Sequence, residues 1–216
     1  MNPAPPDSLV LSYLGLRKVV GVLGIALPFV LALGGMLLAG PGLQTSISDY
    51  YYTGMRNVFV GTLCAIAVFM LSYRGYDRAD DIAGDIACVF SLGVAFFPTT
   101  PAGTPSDPQR LIGGLHLASA AGFFLTLSYF SLILFTRTDP TKQPTRKKVQ
   151  RNKVYKVCGW IMLGAIGLIV LHALLFRGIA GSLDRLALVF WLEALAVIAF
   201  GVSWLTKGEA ILKDGS

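Results

Sequence analysis

The sequence predicts an all-α integral membrane protein, a bundle of six transmembrane helices with the N and C termini cytoplasmic. Three observations carry this expectation. Hydrophobic residues make up 54% of the chain and charged residues 14%, where soluble domains carry roughly 25% charge. The apolar residues fall in continuous runs, whereas a membrane barrel alternates apolar and polar in pieces of about ten residues. The cations gather in segments that six spans would bring to one side of the bilayer.

A spanning helix needs about 20 largely apolar residues. The first run predicts a helix near 18–40. Arg17 and Lys18 ahead of it resemble the start of a signal peptide. The run is longer than the usual h-region of about 7–15 residues and no small-residue cleavage site follows it, so the helix is read as retained. Further helices are expected near 57–74, 80–98, 111–136, 154–176 and 185–206, all within a single domain covering residues 1–216. The third is the shortest and is punctuated by Asp85. If it failed to span, the orientation of everything after it would invert. The connection "PTTPAGTPSDPQR" (98–110) carries four prolines and reads as a stiff irregular loop. In "GGLHLASAAG" (113–122) small residues recur at helical spacing, which permits close helix contact in lipid.

Charge sets the expected orientation. Residues 137–156 hold eight cations and one acid, the signature of a loop kept in the cytoplasm. With that loop inside, 14 of the 18 cations lie on the cytoplasmic side, and Arg56, Arg110, Arg177 and Arg185 lie outside. The net charge of +6 is thereby explained by topology, and no nucleic-acid partner is implied. The basic loop would also attract anionic headgroups. Tyr13, Tyr73, Tyr76, Tyr155, Trp160 and Trp204 are expected in an inner interfacial belt, and Tyr50, Tyr51 and Tyr52 in an outer one. Cys64, Cys88 and Cys158 fall in separate helices without paired spacing, so packing accounts for them better than a disulfide framework or a zinc cluster.

This threading gives each ionisable residue a depth. His116 lies roughly 7 Å below the outer start of the fourth helix, His172 roughly 6 Å from the outer end of the fifth, and Glu193 roughly 13 Å down the sixth. Asp49, Tyr51, Arg56 and Asn57 stand at the outer start of the second. All seven belong to one half of the bilayer and form a candidate ligand-binding pocket, with the tyrosines and Asp49 as rim and the histidines and Glu193 as deeper wall. An intramembrane charge needs a partner; Glu193 is expected to pair with a histidine or with Arg56, or to be held protonated by desolvation. A plain packing role, Glu193 locking the sixth helix to the fourth and fifth, is the competing reading. A second polar cluster, Asp77, Asp81 and Asp85 with Asp80 between them, lies on the other side. Capping and ion pairing explain its first members, while Asp85 is deeper and could take a cation or a proton.

The stretch "SISDYYYTGMRNVFVGTL" (46–63) resembles the signature that opens the second helix in the six-helix damage-regulated autophagy modulators. Those proteins are in turn similar to Golgi proteins that remodel GPI-anchor lipids. The chain as a whole resembles more closely a bacterial six-helix membrane family of unknown function. That likeness rests on Ser46, Ser48, Asp49, Tyr50, Tyr51, Arg56, Phe59 and Gly61, then Tyr73, Gly75, Tyr76 and Asp77, then Phe97 and Pro98. It implies a multi-pass protein of the bacterial inner membrane with a lipid-facing bundle.

The leading expectation is therefore lipid binding or remodelling through a polar pocket open to the outer leaflet, with Arg56 suited to a phosphate or carboxylate. A proton-coupled carrier using Glu193 and Asp85 is an alternative. So is a metal-dependent intramembrane hydrolase with His116, His172 and Asp49 or Glu193 as ligands; a bis-histidine haem and a structural role are weaker. No catalytic residue is assigned, and no cofactor or metal is implied by the leading reading. The expected partners are membrane lipids, with room for a homo-oligomer. A retinal protein is excluded because every lysine lies near an interface or in a loop. P-loop, Rossmann, HExxH and GxSxG motifs are absent.

Overall fold

The computed structural model describes residues 13–75, 77–138, 141, 143–175 and 187–212. Helix α1 covers Tyr13–Ala39 and is followed by a 3₁₀ turn, Ser48–Tyr52. Then come α2 (Arg56–Leu71), α3 (Arg78–Phe96), α4 (Asp107–Tyr129), a π-helical turn (Phe130–Leu134), α5 (Arg146–Leu175) and α6 (Leu188–Lys207). No strand occurs among the described residues.

The helix ends have identifiable causes. Gly40, at a φ of 89°, closes α1 in the left-handed region that favours glycine. Asp77 caps α3 by accepting from the N–H groups of Ala79 and Asp80. Gln109 starts α4 by reaching back to the Ser106 N–H at 2.8 Å, half of a capping box. The main departure from the sequence expectation is α5, which begins at Arg146 rather than 154. Thr145 caps it through Lys148 N–H at 3.1 Å, and the Arg, Lys and Gln side chains that follow are good helix formers. The second half of the basic segment is thus helical.

The helices close into a ring in which α6 packs between α1 and α5, α3 between α2 and α4, and α4 against α5. Their ends fall into two groups. At one end Arg137, just after α4, pairs with Asp77 at the start of α3, and the end of α6 meets α1 beside Arg17. At the other end the α1–α2 connection meets the starts of α4 and α6. Four segments are long and apolar enough to cross a membrane: Leu14–Ala39, Asp107–Leu134, Arg146–Leu175 and Leu188–Lys207. Helix α2 is apolar but has 16 residues, about 24 Å of rise against roughly 30 Å of hydrocarbon. Helix α3 opens with Arg78, Asp80, Asp81 and Asp85. The outside of the bundle is apolar, with Leu37 87%, Val89 67% and Trp160 66% exposed, a surface suited to lipid rather than water.

In lipid the hydrophobic effect between helices is lost and close packing replaces it. Gly21 and Gly201 show this at the α1–α6 crossing. A β-carbon on Gly201 would stand 2.6 Å from the Gly21 carbonyl oxygen, and one on Gly21 would stand 2.8 Å from that of Gly201. In the small-residue stretch of α4, Gly113 packs on Thr100 and Gly122 on Phe90, while Gly114 faces open space.

The interfacial belts need correction. Tyr73, Tyr155 and Trp204 are buried, not interfacial, and form one aromatic core with Phe130 and Phe135. The π-helical turn belongs to this region, and its Ser131 meets Ser203 of α6 at 2.8 Å. Tyr50 is also buried, beside Phe190. Trp160, Tyr51 and Tyr52 remain at the surface or partly so. Tyr76 lies outside the described residues, as does the side chain of Tyr13.

Candidate functional site

The α1–α2 connection folds into the bundle, and Glu193 is what holds it there. The Glu193 carboxylate accepts from the Ile47 N–H at 2.6 Å. One turn earlier on α6, the Phe190 N–H donates to the Thr45 carbonyl at 2.9 Å. A half-buried carboxylate in an apolar helix is thus satisfied by backbone amide, not by the histidine or Arg56 that the sequence led us to expect. Backbone N–H groups serve because the 3₁₀ turn that follows presents them at its start. The packing partner also differs: Glu193 fastens α6 to the α1–α2 connection rather than to α4 and α5.

His116 holds the same connection from the other side. Its Nδ1 lies 2.7 Å from the Phe97 carbonyl and its Nε2 lies 3.0 Å from Ser48 Oγ. A carbonyl can only accept, so Nδ1 carries the proton, and in the neutral ring Nε2 is left to accept from the Ser48 hydroxyl. Asp49 stands within electrostatic reach of both His116 and Glu193. It takes a hydrogen bond from the Thr45 hydroxyl, while its own N–H donates to Ser46 Oγ at 3.0 Å.

Below these groups lies a cavity of about 50 Å³ between α1, α2, α3, α4 and α6. Leu27, Phe59, Leu63, Phe123 and Phe200 are among its walls, and Ser48 and Glu193 form its polar end. The volume holds a few water-sized atoms, and a space so largely apolar stays dry. This slot is small and largely apolar.

The rim is a separate layer. Arg56 lies 4.2 Å from the Tyr51 ring centre and donates to its hydroxyl at 2.5 Å. The Tyr52 hydroxyl donates to the Thr99 carbonyl, also at 2.5 Å, tying the 3₁₀ turn to the proline-rich loop. Asn57 is exposed at the start of α2 and does not line the cavity.

The structure therefore brings Asp49, His116 and Glu193 together, with Tyr51 and Arg56 on the rim above. His172 sits partly buried in the last turn of α5 and is not among the cavity walls. Among the described residues no three His, Cys, Asp or Glu side chains converge as metal ligands would, and both ring nitrogens of His116 are already engaged. Ser48 was the residue that sequence reading missed as a wall of the site. Its neighbours in the "SISD" stretch were the signal, but nothing local shows that its hydroxyl meets a histidine 68 residues away.

The second cluster divides. Asp77 caps α3 and pairs with Arg137 at 2.6 Å. Asp80, which drew no separate weight in the sequence, is the buried member, 3.5 Å from Arg137. Asp81 accepts from the Gly75 N–H at 3.2 Å. Asp85 is exposed and 3.9 Å from Arg74.

No family model, curated protein or solved structure matches this chain.

Proposed function

We propose that the protein is a six-span membrane protein that binds a lipid, taking a length of hydrocarbon into the slot beneath Glu193 and the lipid's polar group at the His116–Ser48–Glu193 end. The observation that carries this reading is the cavity itself. It is walled by apolar side chains from five helices and ends on the Glu193 carboxylate and the Ser48 hydroxyl, the latter bonded to His116. Such a space excludes water but accepts methylene groups, and its polar end fixes which part of the ligand lies deep. Arg56, stacked on Tyr51, is placed to meet an anionic headgroup.

In the full reading α2 and α3 also cross the bilayer. The 3₁₀ turn and the proline-rich loop extend them at the site end, and the acidic start of α3 lies among headgroups. Both termini are then cytoplasmic, and the site faces the outer leaflet of a bacterial inner membrane.

Native mass spectrometry of gently extracted protein tests the reading. Wild type is expected to retain a lipid, and Ala120→Leu, which fills the slot while leaving Glu193 and His116 in place, is expected to lose it. A wild-type protein free of lipid, or equal retention in the variant, would overturn the proposal.

A further inference from the structure

The groups at the polar end of the slot are arranged as a nucleophile and its base. Ser48 lines the slot, and its hydroxyl donates to His116 Nε2 across 3.0 Å. The proton on Nδ1 is held by the Phe97 carbonyl at 2.7 Å, with the Val94 carbonyl also within reach. Carbonyls only accept, so the ring keeps its free lone pair on Nε2, toward the hydroxyl. A base that is oriented by a third group and bonded to a hydroxyl is the arrangement that activates serine as a nucleophile. Asp49 stands within electrostatic reach of His116, where its charge favours the imidazolium formed when the hydroxyl proton moves.

The Ser48 hydroxyl is not needed to fasten the α1–α2 connection. Thr45 and Ile47 already bind it to α6, and Tyr52 binds the turn to the proline-rich loop. Two backbone N–H groups face the Glu193 carboxylate. That of Ile47 is bonded to it at 2.6 Å, and that of Ser48 interacts more weakly. A nucleophile's own N–H adjoins the oxygen of the carbonyl it attacks, so the Ser48 N–H is the donor that a developing oxyanion meets. The slot runs from this point into the apolar interior, between Leu27, Leu63, Phe123 and Phe200. A hydrocarbon chain lying in it presents its polar end to Ser48.

We infer that the slot is the acyl site of an ester hydrolase in which Ser48 is the nucleophile and His116 its general base, which rests on the lipid reading above and adds chemistry to it. The substrate class is a fatty-acid ester, with the acyl chain in the slot and the ester carbonyl at Ser48. As Ser48 Oγ bonds to the carbonyl carbon, its proton passes to His116 Nε2 and the Ser48 N–H meets the carbonyl oxygen. The bond from that carbon to the alcohol oxygen then breaks, and the alcohol leaves with the proton from Nε2. Water entering at the polar end attacks the acyl-serine and gives a proton to Nε2. The fatty acid leaves as Ser48 Oγ takes that proton back. The net change is hydrolysis of an ester bond by water, with no oxidation or reduction.

Reaction of the full chain in detergent with an alkyl fluorophosphonate, followed by intact-mass and peptide mass spectrometry, tests this. Wild type is expected to gain a phosphonyl group on Ser48. Labelling should disappear in Ser48→Ala and slow by about a hundredfold in His116→Gln, as loss of a general base does. Tm and lipid retention measured on the same samples separate lost chemistry from lost folding, and the wild-type adduct decides the matter even where a variant fails to fold. Ala120→Leu fills the slot and spares the pair, so it should slow turnover of para-nitrophenyl octanoate far more than that of para-nitrophenyl acetate. Wild type that retains lipid but forms no adduct on Ser48 would sink the chemistry and leave the lipid reading standing. Equal labelling in wild type and His116→Gln, or equal slowing of both esters in Ala120→Leu, would also sink it. An adduct on Ser48 in a wild type that retains no lipid would support the nucleophile and remove the binding reading instead.

Discussion

At the residue scale, Glu193 shows how a costly group in an apolar helix becomes a structural asset. Its carboxylate satisfies the Ile47 N–H, so truncation leaves a donor on a buried residue without its acceptor. Glu193→Ala is expected to lose about 1–3 kcal/mol. Glu193→Gln, which keeps an acceptor oxygen, should lose less. Chemical denaturation in detergent measures the two side by side, and equal losses would mean that the charge, not the hydrogen bond, holds the connection. Asp77 carries a pH dependence. Burial pushes its carboxyl up, but the Asp80 and Ala79 N–H groups and the Arg137 guanidinium outweigh this and hold it below its ordinary value. A folded value below the unfolded one, about 3.9, stabilises the fold above that pH, and the contribution disappears as pH falls through the folded value. A Tm series from neutral to acidic pH should therefore fall more steeply in wild type than in Asp77→Asn.

At the scale of elements, the bundle depends on where backbones touch. Gly201→Leu would force apart α1 and α6, because its side chain meets the Gly21 carbonyl and Ile25 at 2.6 Å. Overpacking of this kind typically costs about 1–3 kcal/mol. Gly164→Leu, on a face with nothing within 4 Å, should be tolerated. Comparing monodispersity and Tm of the two variants checks this, and a tolerated Gly201→Leu would mean that the crossing is loose. Small-residue spacing announced such contacts in α4, yet it did not say which glycines make them. Gly114 and Gly113 are adjacent and the helical twist sends them to different faces. For the same reason the sequence placed Tyr73, Tyr155 and Trp204 near one end of the bundle but not inside it. Depth follows from counting residues along a helix, whereas facing depends on partners that α4 and α6 supply.

At the scale of the whole molecule, the six-span reading has a direct test. Thr104 is exposed in the connection between α3 and α4, and Gln143 is exposed just before α5. In a background with Cys64, Cys88 and Cys158 replaced, single cysteines at these positions should be labelled by an impermeant reagent from opposite sides of the membrane, Thr104→Cys from outside. Labelling of both from one side would mean that α4 does not cross.

Hydropathy and charge by themselves determined the six helical segments, their approximate limits and the gathering of cations at one end. These properties accumulate along the chain, because burying many apolar residues in sequence leaves a continuous run whatever the neighbours are. The same threading brought Asp49, His116 and Glu193 to a common end, since depth is a linear property of a helix. Tertiary structure alone decided that Glu193 bonds to Ile47, that His116 bonds to Ser48, that Asp80 rather than Asp85 is the buried acid, and that an apolar slot lies under the cluster. Each of these joins groups on different helices, and such pairings depend on rotation, crossing and loop path, which no local pattern encodes.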